Sequence, residues 1–131
     1  MGNSRYLHTA STMPNGKVLV TGGSSIDAAG FTTRRTAELY DPVAGTWTAV
    51  AQMAVARSSH TEKVLPEGKI LITGGSSMFA SSELYGVATN TWTSVEPMTA
   101  GRHAHAATLL PGGRVLITGG VSALANDAEL F

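Results

Sequence analysis

Apolar residues in this chain gather in short runs closed by paired glycines. Ile70-Leu71-Ile72-Thr73, ahead of Gly74-Gly75, shows no polar alternation and is rich in β-branched side chains. That predicts a strand buried on both faces, in the middle of a sheet. Before it, Ser59 to Leu65 has strand length, and Pro66-Glu67-Gly68-Lys69 supplies a tight reversal, since proline presets one backbone angle and glycine accepts a positive one. After it, Ser82-Glu83-Leu84-Tyr85 reads as a third strand. Ala88-Thr89-Asn90 turns the chain into a fourth, Thr91 to Val95, with Trp92 at its second position. Four antiparallel strands in succession are predicted.

The pattern recurs. Arg57 to Gly75 is matched without a gap by Arg5 to Gly23 and by Arg102 to Gly120, at offsets of 52 and 45 residues. A period of that size built from short strands and turns predicts β-propeller blades. Leu39-Tyr40 precedes Trp47 as Leu84-Tyr85 precedes Trp92, whereas the third copy reaches Leu130-Phe131 with no third tryptophan. The expected organisation is one partial propeller domain over residues 1–131. Blade 1 spans 1–52, blade 2 spans 53–97, and blade 3, without its fourth strand, spans 98–131, about two and three-quarter blades in all.

The double glycines, the Glu-Leu-Tyr, the tryptophan seven residues beyond the tyrosine and the Met-x-x-x-Arg leading into the next unit together resemble kelch repeats. Gly22, Gly23, Tyr40 and Trp47 carry the set in the first copy, Gly74, Gly75, Tyr85 and Trp92 in the second, and Gly119 and Gly120 in the third. The resemblance implies an all-β kelch-type propeller of four-stranded antiparallel sheets. It also implies protein or ligand binding on the face that carries the loops between second and third strands. Galactose-oxidase-like relatives within that superfamily use a copper radical site that needs a cysteine cross-linked to a tyrosine, and this chain has no cysteine. A non-enzymatic module without cofactor or metal is therefore expected, a relative of such enzymes being the alternative and a purely structural self-assembling propeller a third reading.

Composition narrows the partners. Lys plus Arg equals Asp plus Glu at nine each, so no basic stripe is available to release counterions from nucleic acid. No stretch approaches the roughly 18 apolar residues of a membrane helix, and a soluble chain is expected. The lack of cysteine removes disulfides and thiol chemistry while suiting any redox compartment.

Recurrent polar residues are expected to serve the frame. Arg5 with His8, Arg57 with His60 and Arg102 with His105 open each first strand. Three imidazoles facing one axis would suggest a metal or anion site; repetition in every blade favours hydrogen bonds between neighbours instead. Glu38, Glu83 and Glu129 recur once per copy, and pairing with the three arginines is expected because a lone buried charge is costly. Trp47 and Trp92, in the outer strands, suit packing between blades better than stacking on a sugar or peptide. The glycine pairs lack the following lysine and helix of a phosphate cradle.

The copies differ between the second and third strands. Gly23 to Glu38 spans 15 residues, against 8 for Gly75 to Glu83 and 9 for Gly120 to Glu129. The excess holds Ile26, Asp27, Phe31, Arg34 and Arg35, an exposed-loop composition, and insertions in repeat proteins often lie on the binding face. A protein or glycan contact is expected there first, with an idle insertion as the alternative. Three blades do not readily close a ring. Either a homodimer forming a six-bladed ring or further blades of a longer parent chain is expected to complete it.

Overall fold

The computed structural model describes residues 1–2, 4–28, 30–122 and 128–131. Its regular elements are all strands, and no described helix is long and apolar enough to cross a membrane. The first repeat contributes β1 (Thr9–Thr12), β2 (Val18–Thr21), β3 (Ser24–Asp27), β4 (Gly30–Thr33), β5 (Ala37–Asp41) and β6 (Thr46–Val50). An antiparallel sheet in the order β1-β2-β5-β6 is blade 1, and β3 and β4 form a separate hairpin above it. The second repeat contributes β7 (Thr61–Val64), β8 (Ile70–Thr73), β9 (Ser82–Gly86) and β10 (Thr91–Val95), paired in sequence order as blade 2. In the third, β11 (Arg102–His103) pairs with β14 (Val121–Ser122), while β12 (Ala106–Leu109), β13 (Val115–Thr118) and β15 (Ala128–Leu130) make a three-stranded sheet.

The apolar runs occupy the expected second strands, β2, β8 and β13, and β8 is buried along its whole length. The first strand of blade 2 is shorter than Ser59 to Leu65. Ser59 sits in the left-handed region at φ 53°, and the Leu65 N–H already bonds the Lys69 carbonyl at 2.8 Å across the turn. Leu7 and Ala104, at the corresponding places, share that geometry at 55° and 53°. Such a conformation costs a residue with a Cβ about 1–2 kcal/mol. Its recurrence three times indicates that the surroundings impose it.

The core lies between the blades. Met13, Leu19 and Ala37 of blade 1 close on Met53, Ile70, Ile72 and Tyr85 of blade 2, with Trp92 packed against the cluster. Leu71, with Leu65 and Leu84 beside it, meets Met98, Val115 and Ile117 of blade 3. A fully buried aliphatic side chain contributes about 1.5–3 kcal/mol, so each sheet draws its stability from the neighbour it faces. Tyr40 and Tyr85 stack on Trp47 and Trp92 with ring centroids 4.9 Å apart in both blades. Trp92 also donates from Nε1 to the Ala51 carbonyl at 2.8 Å, which ties blade 2 to the end of blade 1.

Candidate functional site

The recurrent arginines and glutamates brace each blade internally. Arg57 Nη1 donates to the Gly74 and Ser81 carbonyls at 2.6 and 3.0 Å, and Nη2 donates to Glu83 Oε1 at 2.7 Å. The Arg5–Glu38 and Arg102–Glu129 distances are 2.8 and 2.9 Å. Each glutamate also accepts backbone N–H groups from the segment entering its blade: Gly2 on Glu38, Ala54 and Val55 on Glu83, Thr99 and Ala100 on Glu129. At Glu129 burial pushes the carboxyl up, but the Thr99 and Ala100 bonds and the Arg102 charge outweigh it and hold the pKa below the usual range. These charges meet one another, which leaves them structural.

The glycine pairs let blades approach. A Cβ on Gly22 would lie 2.3 Å from the Arg57 carbonyl oxygen, and one on Gly74 would lie 2.5 Å from that of Arg102. Through the space left open, the Gly23 and Gly75 N–H groups reach those same carbonyls at 2.9 Å. The first glycine of each pair thus accommodates the following blade. The second faces its own blade, with Gly75 against Arg57 and Ser58.

His60 and His105 plug into the preceding blade. His60 Nε2 lies 2.8 Å from Thr9 Oγ1 and 3.1 Å from Thr21 Oγ1; His105 Nε2 lies 3.0 Å from both Thr61 and Thr73. Burial, then the charge of Arg57, lowers the His60 pKa to about 3; burial and Arg102 lower that of His105 to about 4. Both rings are neutral at pH 7. His8, with no blade before it among the described residues, is exposed.

Glu62 breaks the repeat in a way the sequence reading missed. It stands where the other copies have Ala10 and Ala107, and comparing those three positions would have singled it out. Thr9 and Thr21 donate to its Oε2 at 2.6 and 2.7 Å. With both hydroxyl protons so used, the His60 contacts require the imidazole to donate from Nε2. Burial pushes the Glu62 carboxyl up, against hydroxyl bonds from Thr21, Thr9 and Ser11. A cavity of about 250 Å³ beside it is lined by Thr9, Ser11, His60, Glu62, Lys63 and Ala107.

The insertion in blade 1 is a hairpin, not an irregular loop. Ile26 pairs in register with Phe31, and both side chains stand well out of the surface, at 71% and 64% exposure. Tyr6 meets Phe31 edge to face, with centroids 6.5 Å apart, and Leu7 is exposed next to it in sequence. The hairpin is therefore ordered by its backbone ladder while its apolar side chains face solvent. Asp27 ends β3 in an exposed position, and Arg35 is exposed. Arg34 turns inward: its Nη2 donates to Ser25 Oγ at 2.7 Å, and its carbonyl receives the Arg57 N–H at 3.1 Å. At the opposite end of the blades, a cleft of about 420 Å³ opens between the turns, lined by Met13, Pro14, Lys69, Val87 and Ala88 among others.

No protein-family profile and no curated protein matches the sequence. Solved structures match its fold. Superposition on YjhT gives a TM-score of 0.77 at 16% identity, covering 91% of this chain and 46% of YjhT. A fungal alcohol oxidase of the AA5 family, solved in complex with copper, gives 0.75 at 20% identity, covering 97% of this chain and 28% of the oxidase. Both are of the kelch or β-propeller type, and the likeness shows a propeller-type fold here. The chain spans less than half the length of either. Copper is not matched by the residues present: the sequence has no cysteine, and no group of three or more His, Asp or Glu among the described residues is placed to hold a metal ion.

Proposed function

We propose that the chain is a non-enzymatic recognition module that engages a protein or glycan through the β3–β4 hairpin and the adjoining Tyr6. The observation that carries this reading is the apolar pair Ile26 and Phe31, exposed on an ordered hairpin with the Tyr6 ring against Phe31. Contiguous exposed apolar surface on an otherwise well-buried protein commonly marks an interaction site. Aromatic rings also serve recognition with little loss of side-chain freedom on binding. The repeated arginines and glutamates are taken up by the brace and His60 and His105 by the plugs, and the insertion is where the copies vary.

The test compares the chain with its Ile26→Ser/Phe31→Ser variant on a glycan array and in cross-linking with proteins of the source cell. Signals lost in the variant while its melting temperature is kept support the hairpin as the contact. Equal signals from both proteins overturn it, and so does turnover of an alcohol by the copper-loaded chain.

A further inference from the structure

The two end blades carry the two halves of an interface that the chain forms twice internally. On the leading side of blades 2 and 3, a methionine, an arginine carbonyl, a left-handed residue and a histidine meet the blade before. Met53 and Met98 are 1% and 3% exposed, and a Cβ on Gly22 or Gly74 would lie 3.3 or 3.1 Å from their methyl carbons. Ser59 N–H donates to the Leu7 carbonyl and Ala104 N–H to the Ser59 carbonyl, both at 2.9 Å. This forms a line of bonds running from blade to blade.

Blade 1 presents the same leading set with none of the described residues packed on it. Met1 stands four residues before Arg5, as Met53 stands before Arg57 and Met98 before Arg102. It is 48% exposed, His8 is exposed, and the Leu7 N–H has no acceptor among the described residues. Trp47 is exposed where Trp92 is half-buried against blade 1. Blade 3 presents the receiving set. A Cβ on Gly119 would meet none of the described residues within 4 Å, the Ala104 carbonyl has no donor among them, and Leu130 is exposed. Leu116 is only half-buried where Leu19 and Leu71 are buried.

We infer that the leading side of blade 1 docks on the receiving side of blade 3 of a second copy of this chain, repeating the contact already made between blades 1 and 2 and between blades 2 and 3. His8 then reaches the Thr118 hydroxyl, Met1 lies over Gly119, and the Leu7 N–H bonds the Ala104 carbonyl. The contact joins unlike surfaces, so two copies related by a twofold axis make it twice and close a six-bladed ring. The match to YjhT, which takes up 91% of this chain and 46% of that one, leaves room in a propeller of that length for a second equivalent. This pairing is independent of what the hairpin binds.

Light scattering with size exclusion on the 131-residue chain tests the pairing. The expected mass is twice the 13.5 kDa of one chain. Gly119→Asn is the decisive variant: asparagine tolerates the left-handed backbone at φ 64° and its Cβ meets none of the described residues of its own chain, yet it fills the place that Met1 must take. It is expected to run at 13.5 kDa with an unchanged β-sheet circular dichroism spectrum. Gly68→Asn, at an open turn with φ 79°, is expected to stay dimeric, and His8→Ala to weaken the dimer about thirtyfold, the worth of two hydrogen bonds, one at each of the two contacts. A wild-type monomer, a dimeric Gly119→Asn variant, or a ladder of masses above the dimer overturns the inference.

Discussion

Arg57 and Glu83 face each other at 2.7 Å with both side chains buried, and neither has a second ion-pair partner among the described residues. Removing one member of such a pair leaves the other unpaired away from water, at a cost of about 3–5 kcal/mol. Glu83→Ala also strips an acceptor from the Ala54 and Val55 N–H groups. It is expected to lower the melting temperature by about 10 °C or more. Arg57→Met is expected to cost a similar amount, and the double variant less than the sum of the two by at least about 1 kcal/mol. Urea denaturation of the three proteins checks this, and additive losses would show that the charges act separately.

Stability is expected to fall as the pH drops below neutrality, before ordinary carboxylates titrate. His60 and His105 titrate near 6.5 in the unfolded chain but at about 3 and about 4 in the folded one. Between those limits the unfolded state binds protons that the folded state refuses. Each buried histidine then removes up to about 1.4 kcal/mol per pH unit. His60→Asn should flatten the dependence between pH 6.5 and pH 5, measured as the denaturation midpoint. A slope unchanged by that variant would place the titrating group elsewhere.

Glu62 works in the opposite direction. Its folded pKa is raised by burial, so its contribution is full at low pH and is lost as the pH rises from the unfolded value through the folded one. Glu62→Gln keeps an acceptor for Thr9 and Thr21 without the charge, and is expected to raise the melting temperature at pH 7 by about 4 °C, close to 1 kcal/mol. The gain should shrink towards pH 4.5, the ordinary value for the carboxyl. A lower melting temperature at pH 7 would mean that the threonines favour the ion more than burial opposes it.

Gly74 and Gly68 separate backbone strain from crowding. Both lie at positive φ, 67° and 79°, but a Cβ on Gly68 meets nothing within 4 Å and one on Gly74 lies 2.5 Å from the Arg102 carbonyl oxygen. Gly68→Ala is expected to cost about 1–2 kcal/mol for the left-handed backbone alone. Gly74→Ala adds the displacement of blade 3, about 1–3 kcal/mol more. Equal losses in thermal denaturation would show that the blades move apart freely.

Much of the frame could be read in advance because it is written three times. The runs at Val18, Ile70 and Val115 found their places as second strands, and one arginine with one glutamate in each of three copies foretold their pairing. What escaped occurs once. The segment from Ser24 to Thr33 reads as a loop because a strand is usually recognised by its buried face, and this hairpin keeps Ile26 and Phe31 in solvent. Glu62 escaped because a glutamate in a first strand looks like a solvent-facing residue until Thr9 and Thr21 of the preceding blade close over it. Contacts of that kind belong to the stacking of blades, which periodicity within one blade does not express.

The division of labour within each glycine pair bears on how such a ring changes its membership. Gly22 and Gly74 are shaped to the blade that follows, and Gly23 and Gly75 to their own, so every unit carries both a plug and a socket and the units line up in one direction only. A duplicated or deleted unit leaves this glycine contact at each junction as it was. A lineage can then lengthen or shorten its array of blades without redesigning that contact.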